Sequence, residues 1–214
     1  MDWIKALALT VAAVLGGMET VYGAWALKGR EERLDRVWTE KLLYGSSLLW
    51  LAGLGGLWLA GNARPGGAAG LWEARTGFFF ATYLLLAAVD VRRRIVPDRI
   101  LVCYFLAQLL LGSAGGEVLG LLRMMAEGAV FGGAALVLAW LSRGRLGMGD
   151  AKLLGVTAMT AGWAYTVQIG ISGLFLSFFY SLWLLAFRRL NGRTEIPFVP
   201  FLAAAVGLEL LLLP

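Results

Sequence analysis

Residues 153–187 have the sequence LLGVTAMTAGWAYTVQIGISGLFLSFFYSLWLLAF and contain no Asp, Glu, Lys or Arg over 35 consecutive positions. As a single α-helix this run would be about 52 Å long, since each residue adds about 1.5 Å. The hydrocarbon core of a bilayer is only about 30 Å thick. We therefore predict two membrane helices here, joined by a tight turn around 162–168, with a short first helix.

The composition of the whole chain agrees with a membrane protein. Of its 214 residues, 59% are hydrophobic and only 15% are charged, against roughly 25% charged residues in soluble domains. The chain has one cysteine, Cys103, and no histidine, so neither a disulfide framework nor a cysteine-rich metal site is available. These numbers exclude a soluble enzyme, a nucleic-acid-binding domain and a secreted disulfide-rich domain. The predicted fold is an all-α, polytopic membrane bundle.

The distribution of basic residues predicts the orientation of the bundle. The apolar runs lie at about 3–27, 42–61, 71–90, 97–113, 118–142, 151–164, 166–187 and 197–213. With eight spans, fifteen of the 19 Lys and Arg residues fall on one face, and the positive-inside rule makes that face cytoplasmic. The net charge of +5 then reports orientation, and the expected surroundings are a lipid bilayer with no nucleic acid partner.

Three shorter patterns carry structural expectations. Residues 30–41 have apolar positions at helical spacing and form either an amphipathic helix on the membrane surface or a solvated charged loop. The small residues of GAVFG at 128–132 predict close helix packing. Arg123 and Glu127, one helical turn apart, are expected to form an ion pair.

Two carboxylates stand apart from the other acidic residues. Asp90 closes the third apolar run in LLLAAVDVRRRIVPDRI, and Asp150 opens the sixth in RLGMGDAKLLG. Two spans intervene, so both lie at the same end of the bundle. Each also has a purely structural alternative: Asp150 as the N-cap of its helix, and Asp90 as a partner of the three arginines that follow it at 92–94.

A pair of aspartates supports peptide hydrolysis by an activated water molecule. Two carboxylates within about 3 Å share one proton because both cannot ionise easily. The ionised member takes a proton from water while the protonated member polarises the scissile carbonyl, and neither histidine nor a metal is required. Gly147 and Gly149 precede Asp150 and allow an extended substrate to approach closely.

Three segments of the chain resemble the type IV prepilin peptidases, also called type IV leader peptidases, which are intramembrane aspartic proteases of the GxGD type. The first segment is the apolar run that ends in Asp90 and continues to IVPDRI, which includes Pro97. The second is GMGDAKLL at 147–154, and the third is IPFVPFLAAAVG at 196–207. Together they cover roughly residues 77–214.

The resemblance implies that Asp90 and Asp150 are the catalytic pair. It also implies that Gly147, Gly149 and Lys152 shape the second motif, while Pro97 belongs to the first motif and Pro197 and Pro200 mark the third. The implied substrate is a prepilin or pseudopilin, whose short basic leader is removed just ahead of its N-terminal hydrophobic helix. The implied location is the bacterial cytoplasmic (inner) membrane, with the active site facing the cytoplasm and no cofactor or metal.

The chain also departs from the family pattern. Residues 1–75 match little of it and contain no CxxC motif, so N-methylation of the cleaved product is not supported. Position 199 is valine where the family usually has glycine. We therefore divide the chain into an N-terminal two-span region at 1–75 and a peptidase core at 76–214.

Two other classes of function are compatible with an apolar bundle that contains carboxylates. A catalytically silent assembly factor would keep the fold and bind a pilin helix without cutting it. An ion-coupled transporter would use the carboxylates for a cation or proton, although such folds often show inverted repeats and midplane sites, and no internal repeat is evident here.

Overall fold

The structure is a computed structural model that describes residues 2–28, 48–56, 59, 69–114, 118–142, 147–187 and 196–212. Its elements are α1 (Asp2–Lys28), α2 (48–56), α3 (Ala69–Arg93), α4 (Asp98–Ser113), α5 (Val118–Leu141), α6 (Met148–Ala161), α7 (Trp163–Ala186) and α8 (Val199–Leu212). Within those ranges every regular element is a helix, which confirms the predicted all-α fold. The segment 30–41 lies outside the described residues.

Four helices are long and apolar enough to cross a membrane, judged by length and composition among the described residues. They are Ile4–Ala26, Gly70–Arg93, Val118–Leu141 and Trp163–Ala186. Helix α8 is apolar but shorter, and α6 has only 14 residues, or about 21 Å at the usual rise per residue. The architecture is thus a membrane helical bundle that combines long and short helices.

The charge-free run breaks where the sequence analysis placed the start of the turn. Helix α6 ends at Ala161 and α7 begins at Trp163, with Gly162 between them at a φ of +94°. A side chain is strained in this conformation, and glycine adopts it readily. The predicted extent of the turn was wrong, since residues 163–168 already belong to α7; one glycine is enough to end the first helix.

Helices α5 and α6 pack with their backbones in close contact. A methyl group added at Gly128 would clash with the backbone nitrogen of Met159, and one added at Gly132 would lie 2.8 Å from the Cα atom of Gly155. The expectation of close packing at GAVFG is confirmed. The predicted ion pair on the exposed side of α5 is also present, with Arg123 Nε 2.8 Å from Glu127 Oε1.

The N-terminal helices share a hydrophobic core with the rest of the chain. Helix α1 packs on α4 and α3, while α3 also contacts α8. One buried cluster includes Ala12 of α1 and Leu54 of α2 together with Phe78, Tyr104 and Leu202. The described parts of 1–75 and 76–214 therefore form one packed unit.

The alternating direction of the helices gives the bundle two distinct ends. The last turn of α3 meets the first turns of α4, α6 and α8 at one end, where Asp90 and Asp150 lie. The first turns of α3 and α7 meet the last turns of α4, α6 and α8 at the other end. Each end contains a cavity, and the two are built from different parts of the same helices.

The glycine contacts give a stability test with an internal control. Gly128→Ala should lower the free energy of unfolding by about 1–3 kcal/mol, because the new methyl group must push α6 away. Gly133→Ala, on the same helix with open space around it, should be neutral or slightly stabilising, since alanine favours a helix. Thermal unfolding in detergent measures both. Equal melting temperatures for the two variants would contradict the close packing.

Candidate active site

Asp90 lies in the last turn of α3 with only 6% of its surface exposed. Its Oδ2 atom accepts a hydrogen bond of 3.1 Å from the backbone N–H of Val199. Val199 is the first residue of α8, and first-turn N–H groups of a helix have no partner within that helix. The carboxylate of Asp90 on α3 therefore accepts a hydrogen bond from an N–H group of α8 that has no partner within its own helix.

Asp150 lies in the first turn of α6, ahead of the apolar part of that helix and outside the four candidate spans. The N-cap position is Gly147, and no side chain caps the helix. The N-cap alternative for Asp150 was wrong, because the N-cap is three residues earlier, at Gly147. The half-buried carboxyl group of Asp150 therefore does not cap the helix.

The two aspartates line one cavity of about 350 Å³. The expectation that they meet at one end of the bundle is confirmed. Burial, and after it the negative charge of Asp90, raises the pKa of Asp150 from 3.8 to about 6. Such a shift makes Asp150 the carboxyl group that retains a proton in mildly acidic solution.

The glycines of the second segment leave room for Asp150 and for a neighbouring loop. A methyl group at Gly147 would lie 2.8 Å from Asp150 Oδ2. One at Gly149 would lie 3.0 Å from the Cβ atom of Val96, in the connection between α3 and α4. A side chain at Gly147 would crowd the carboxylate of Asp150, and a side chain at Gly149 would press against Val96.

Lys152 on α6 forms an ion pair with Asp98, the first residue of α4. Its Nζ atom donates hydrogen bonds of 2.8 and 3.0 Å to the two carboxylate oxygens of Asp98. Both residues line the cavity, and Pro97 precedes them as the N-cap of α4. Sequence reasoning named Lys152 but missed Asp98 as its partner, since the two lie 54 positions apart.

The two prolines of the third segment lie before and after Val199, the residue that donates a hydrogen bond to Asp90. Pro197 precedes α8, and Pro200 lies in its first turn. Proline fits there because these positions need no intrahelical N–H donor. Val199, between them, supplies the N–H group that reaches Asp90. Sequence reasoning noted this valine only as a departure from the family pattern.

The candidate site contains carboxylates, an amine and backbone donors. Within the described part of the chain, no group of three or more acidic or cysteine side chains is arranged to hold a metal ion. The arrangement provides two carboxyl groups of different environment around a cavity large enough for several water molecules or an extended piece of peptide.

The comparisons with known proteins identify the family. The sequence model of the type IV leader peptidase family matches residues 77–208, which contain all three segments described above. Neither a curated protein nor a solved structure matches the chain. The match spans more than half of the 214 residues, and the chain therefore belongs to the type IV leader peptidase family.

Proposed function

We propose that this protein is a membrane-embedded aspartic endopeptidase that removes the short basic leader from type IV prepilin or pseudopilin precursors at the cytoplasmic face of the bacterial inner membrane. One observation carries the proposal: Asp90 and Asp150, from helices 60 positions apart in sequence, line the same cavity. Membership of the leader peptidase family supplies the class of substrate. The excess of Lys and Arg on this side of the bundle supports its cytoplasmic location.

The surroundings of the two carboxyl groups suggest different roles. The N–H group of Val199 and the N-terminus of α8 stabilise the ionised form of Asp90 against the cost of its burial. Asp150 lacks a capping hydrogen bond, and its raised pKa favours the protonated form. We assign Asp90 as the general base and Asp150 as the general acid, although protons in such a pair titrate jointly.

In the proposed reaction, Asp90 accepts a proton from a water molecule, and the oxygen of that water attacks the scissile carbonyl carbon. Asp150 donates a hydrogen bond to the carbonyl oxygen and stabilises the negative charge that develops there. Transfer of the proton from Asp90 to the amide nitrogen lets the C–N bond break. One water is consumed, and the products are a new carboxyl terminus and a new amine.

The cavity wall suits an extended peptide. Gly147 and Gly149 line the cavity together with Asp150 and carry no side chains, so a substrate strand can lie close to the carboxyl group. The Lys152–Asp98 ion pair joins α6 to the start of α4 at the edge of the cavity. The apolar helix of the precursor would remain in the bilayer while its leader reaches this end of the bundle.

Replacing either aspartate tests the mechanism. Asp90→Asn and Asp150→Asn should each slow leader cleavage by about a hundredfold or more, because each keeps the side-chain shape and removes the titratable group. Co-expression with a precursor and a gel-shift assay measure the effect. Glu127→Gln is the matched control, since it neutralises an exposed carboxylate on α5 and should cleave normally.

Two results would contradict this assignment. Normal cleavage by either asparagine variant would remove that aspartate from the mechanism. A precursor that crosslinks to the wild-type protein but is never cut would indicate a silent assembly factor instead.

The pH dependence follows from the proton on Asp150. Its pKa of about 6 means that raising the pH through that value removes the shared proton. The cleavage rate should then fall, approaching about tenfold per pH unit once the group is fully titrated. Single-turnover cleavage in detergent at fixed ionic strength measures the profile. A rate that stays constant from pH 5 to 10 would contradict a proton-sharing pair.

The hydrogen bond to Asp90 has its own test. Val199→Pro removes the N–H donor and keeps an apolar residue at a helix position where proline is tolerated. We expect cleavage at least tenfold slower, with a shifted pH profile, because the ionised form of Asp90 loses one of its backbone donors. Val199→Gly retains the N–H group and should preserve the profile. Identical profiles for the proline variant and the wild type would refute this role for Val199.

A further inference from the structure

A second cavity, of about 580 Å³, lies at the end of the bundle opposite the two aspartates. Most of its wall is apolar and is formed by Trp72, Phe79, Met124, Tyr165 and Leu210. These side chains come from four helices, α3, α5, α7 and α8, and the proposed peptidase mechanism uses none of them. The cavity therefore needs an explanation of its own.

One charged residue projects into this apolar enclosure. Arg75 Nε donates a hydrogen bond of 3.0 Å to Gln108 Oε1, and Arg75 Nη2 donates to the backbone carbonyl of Thr160. Gln108 Nε2 in turn donates to the backbone carbonyl of Arg75 at 3.1 Å. The guanidinium is thus fixed from two sides by groups of α4 and α6.

The fixed guanidinium retains both its positive charge and unused donors. Its partners in the described part of the chain, an amide oxygen and a carbonyl oxygen, carry no charge. They take two of the five N–H groups of an arginine, which leaves the two on Nη1 and one on Nη2. A partly buried cation without a counter-charge is costly, so the site favours an anion that accepts several hydrogen bonds.

We propose that this cavity binds a phosphate-bearing membrane lipid, with the headgroup phosphate on Arg75 and an acyl chain along the apolar wall. A planar guanidinium suits the oxygens of a phosphate. Free phosphate would satisfy the same donors but would leave the wall of Trp72, Phe79 and Leu210 without an apolar partner. Arg75 lies five positions into the Gly70–Arg93 span, near the depth at which headgroups meet the hydrocarbon.

Trp72 supports this placement at the membrane boundary. It lies one turn before Arg75 on α3, and 64% of its surface is exposed. Tryptophan is enriched at the interface between headgroups and acyl chains. A lipid seated beside Arg75 would thus have its phosphate at the normal headgroup level and would not need to leave the leaflet.

The test is lipid binding to the purified full-length protein in a neutral detergent, followed by native mass spectrometry and by thermal unfolding. Phosphatidylglycerol, inorganic phosphate and a neutral glycolipid with matched acyl chains are titrated separately. We expect saturable binding of phosphatidylglycerol and at least tenfold weaker binding of the glycolipid and of free phosphate. Arg75→Gln should weaken phosphatidylglycerol binding at least tenfold.

Two further variants distinguish lipid binding in this cavity from non-specific binding of lipid elsewhere on the protein. Arg123→Gln removes an exposed arginine that is paired with Glu127 on α5 and should bind the lipid within about twofold of the wild type. Leu210→Trp fills the cavity without altering the partners of Arg75 and should weaken binding even if Arg75→Gln fails to fold. Equal lipid affinity for Leu210→Trp and the wild type would overturn the proposal. So would glycolipid binding as tight as that of phosphatidylglycerol, or free phosphate binding as tight as the lipid.

Discussion

The hydrogen bond between Val199 N–H and Asp90 Oδ2 links the two parts of the chain that are furthest apart within the site. It joins residues 109 positions apart and meets a requirement of each: a buried carboxylate needs a donor, and the first N–H groups of a helix need an acceptor. Prolines on either side of Val199 carry no N–H group of their own. The start of α8 is therefore built around the carboxylate, and the position of Asp90 depends on the position of α8.

Close approach of helices places the second carboxyl group. Gly128 and Gly132 allow α5 to contact the backbone of α6, and Gly149 allows α6 to contact the connection that follows Asp90. Small residues have this role in membrane bundles because apolar side chains gain little by leaving lipid for protein, so tight packing has to supply the stability. The shortness of α6 follows from the glycine at 162, which ends the helix after 14 residues.

The sequence predicted the class of fold, the break in the charge-free run and the meeting of Asp90 with Asp150, because hydropathy and span parity depend on local composition. It did not predict the contacts between distant positions. Asp98 and Lys152, which form an ion pair, are 54 positions apart, and no local sequence pattern predicts such a pair. Nothing in the sequence singles out Arg75, since its partners Gln108 and Thr160 are uncharged and lie on other helices. The N-cap alternative for Asp150 failed because α6 already begins at Met148, with Gly147 as its N-cap.

The two cavities are separated by a layer of buried side chains, and this bears on the route of the catalytic water. Tyr83 lies between Arg75 and Asp90 along α3, and its hydroxyl contacts that of Thr157 on α6 at 2.7 Å. Tyr104 on α4 contacts Thr160 in the same way at 3.1 Å. Both tyrosines are fully buried, and their hydroxyl groups are already paired, so water gains no free hydrogen-bonding partner by entering this layer. In the proposed reaction, water would therefore reach the aspartates through the cavity they line, from the side on which the substrate leader is proposed to bind. A lipid bound in the other cavity would contact the helices that line it and would not contact Asp90 or Asp150.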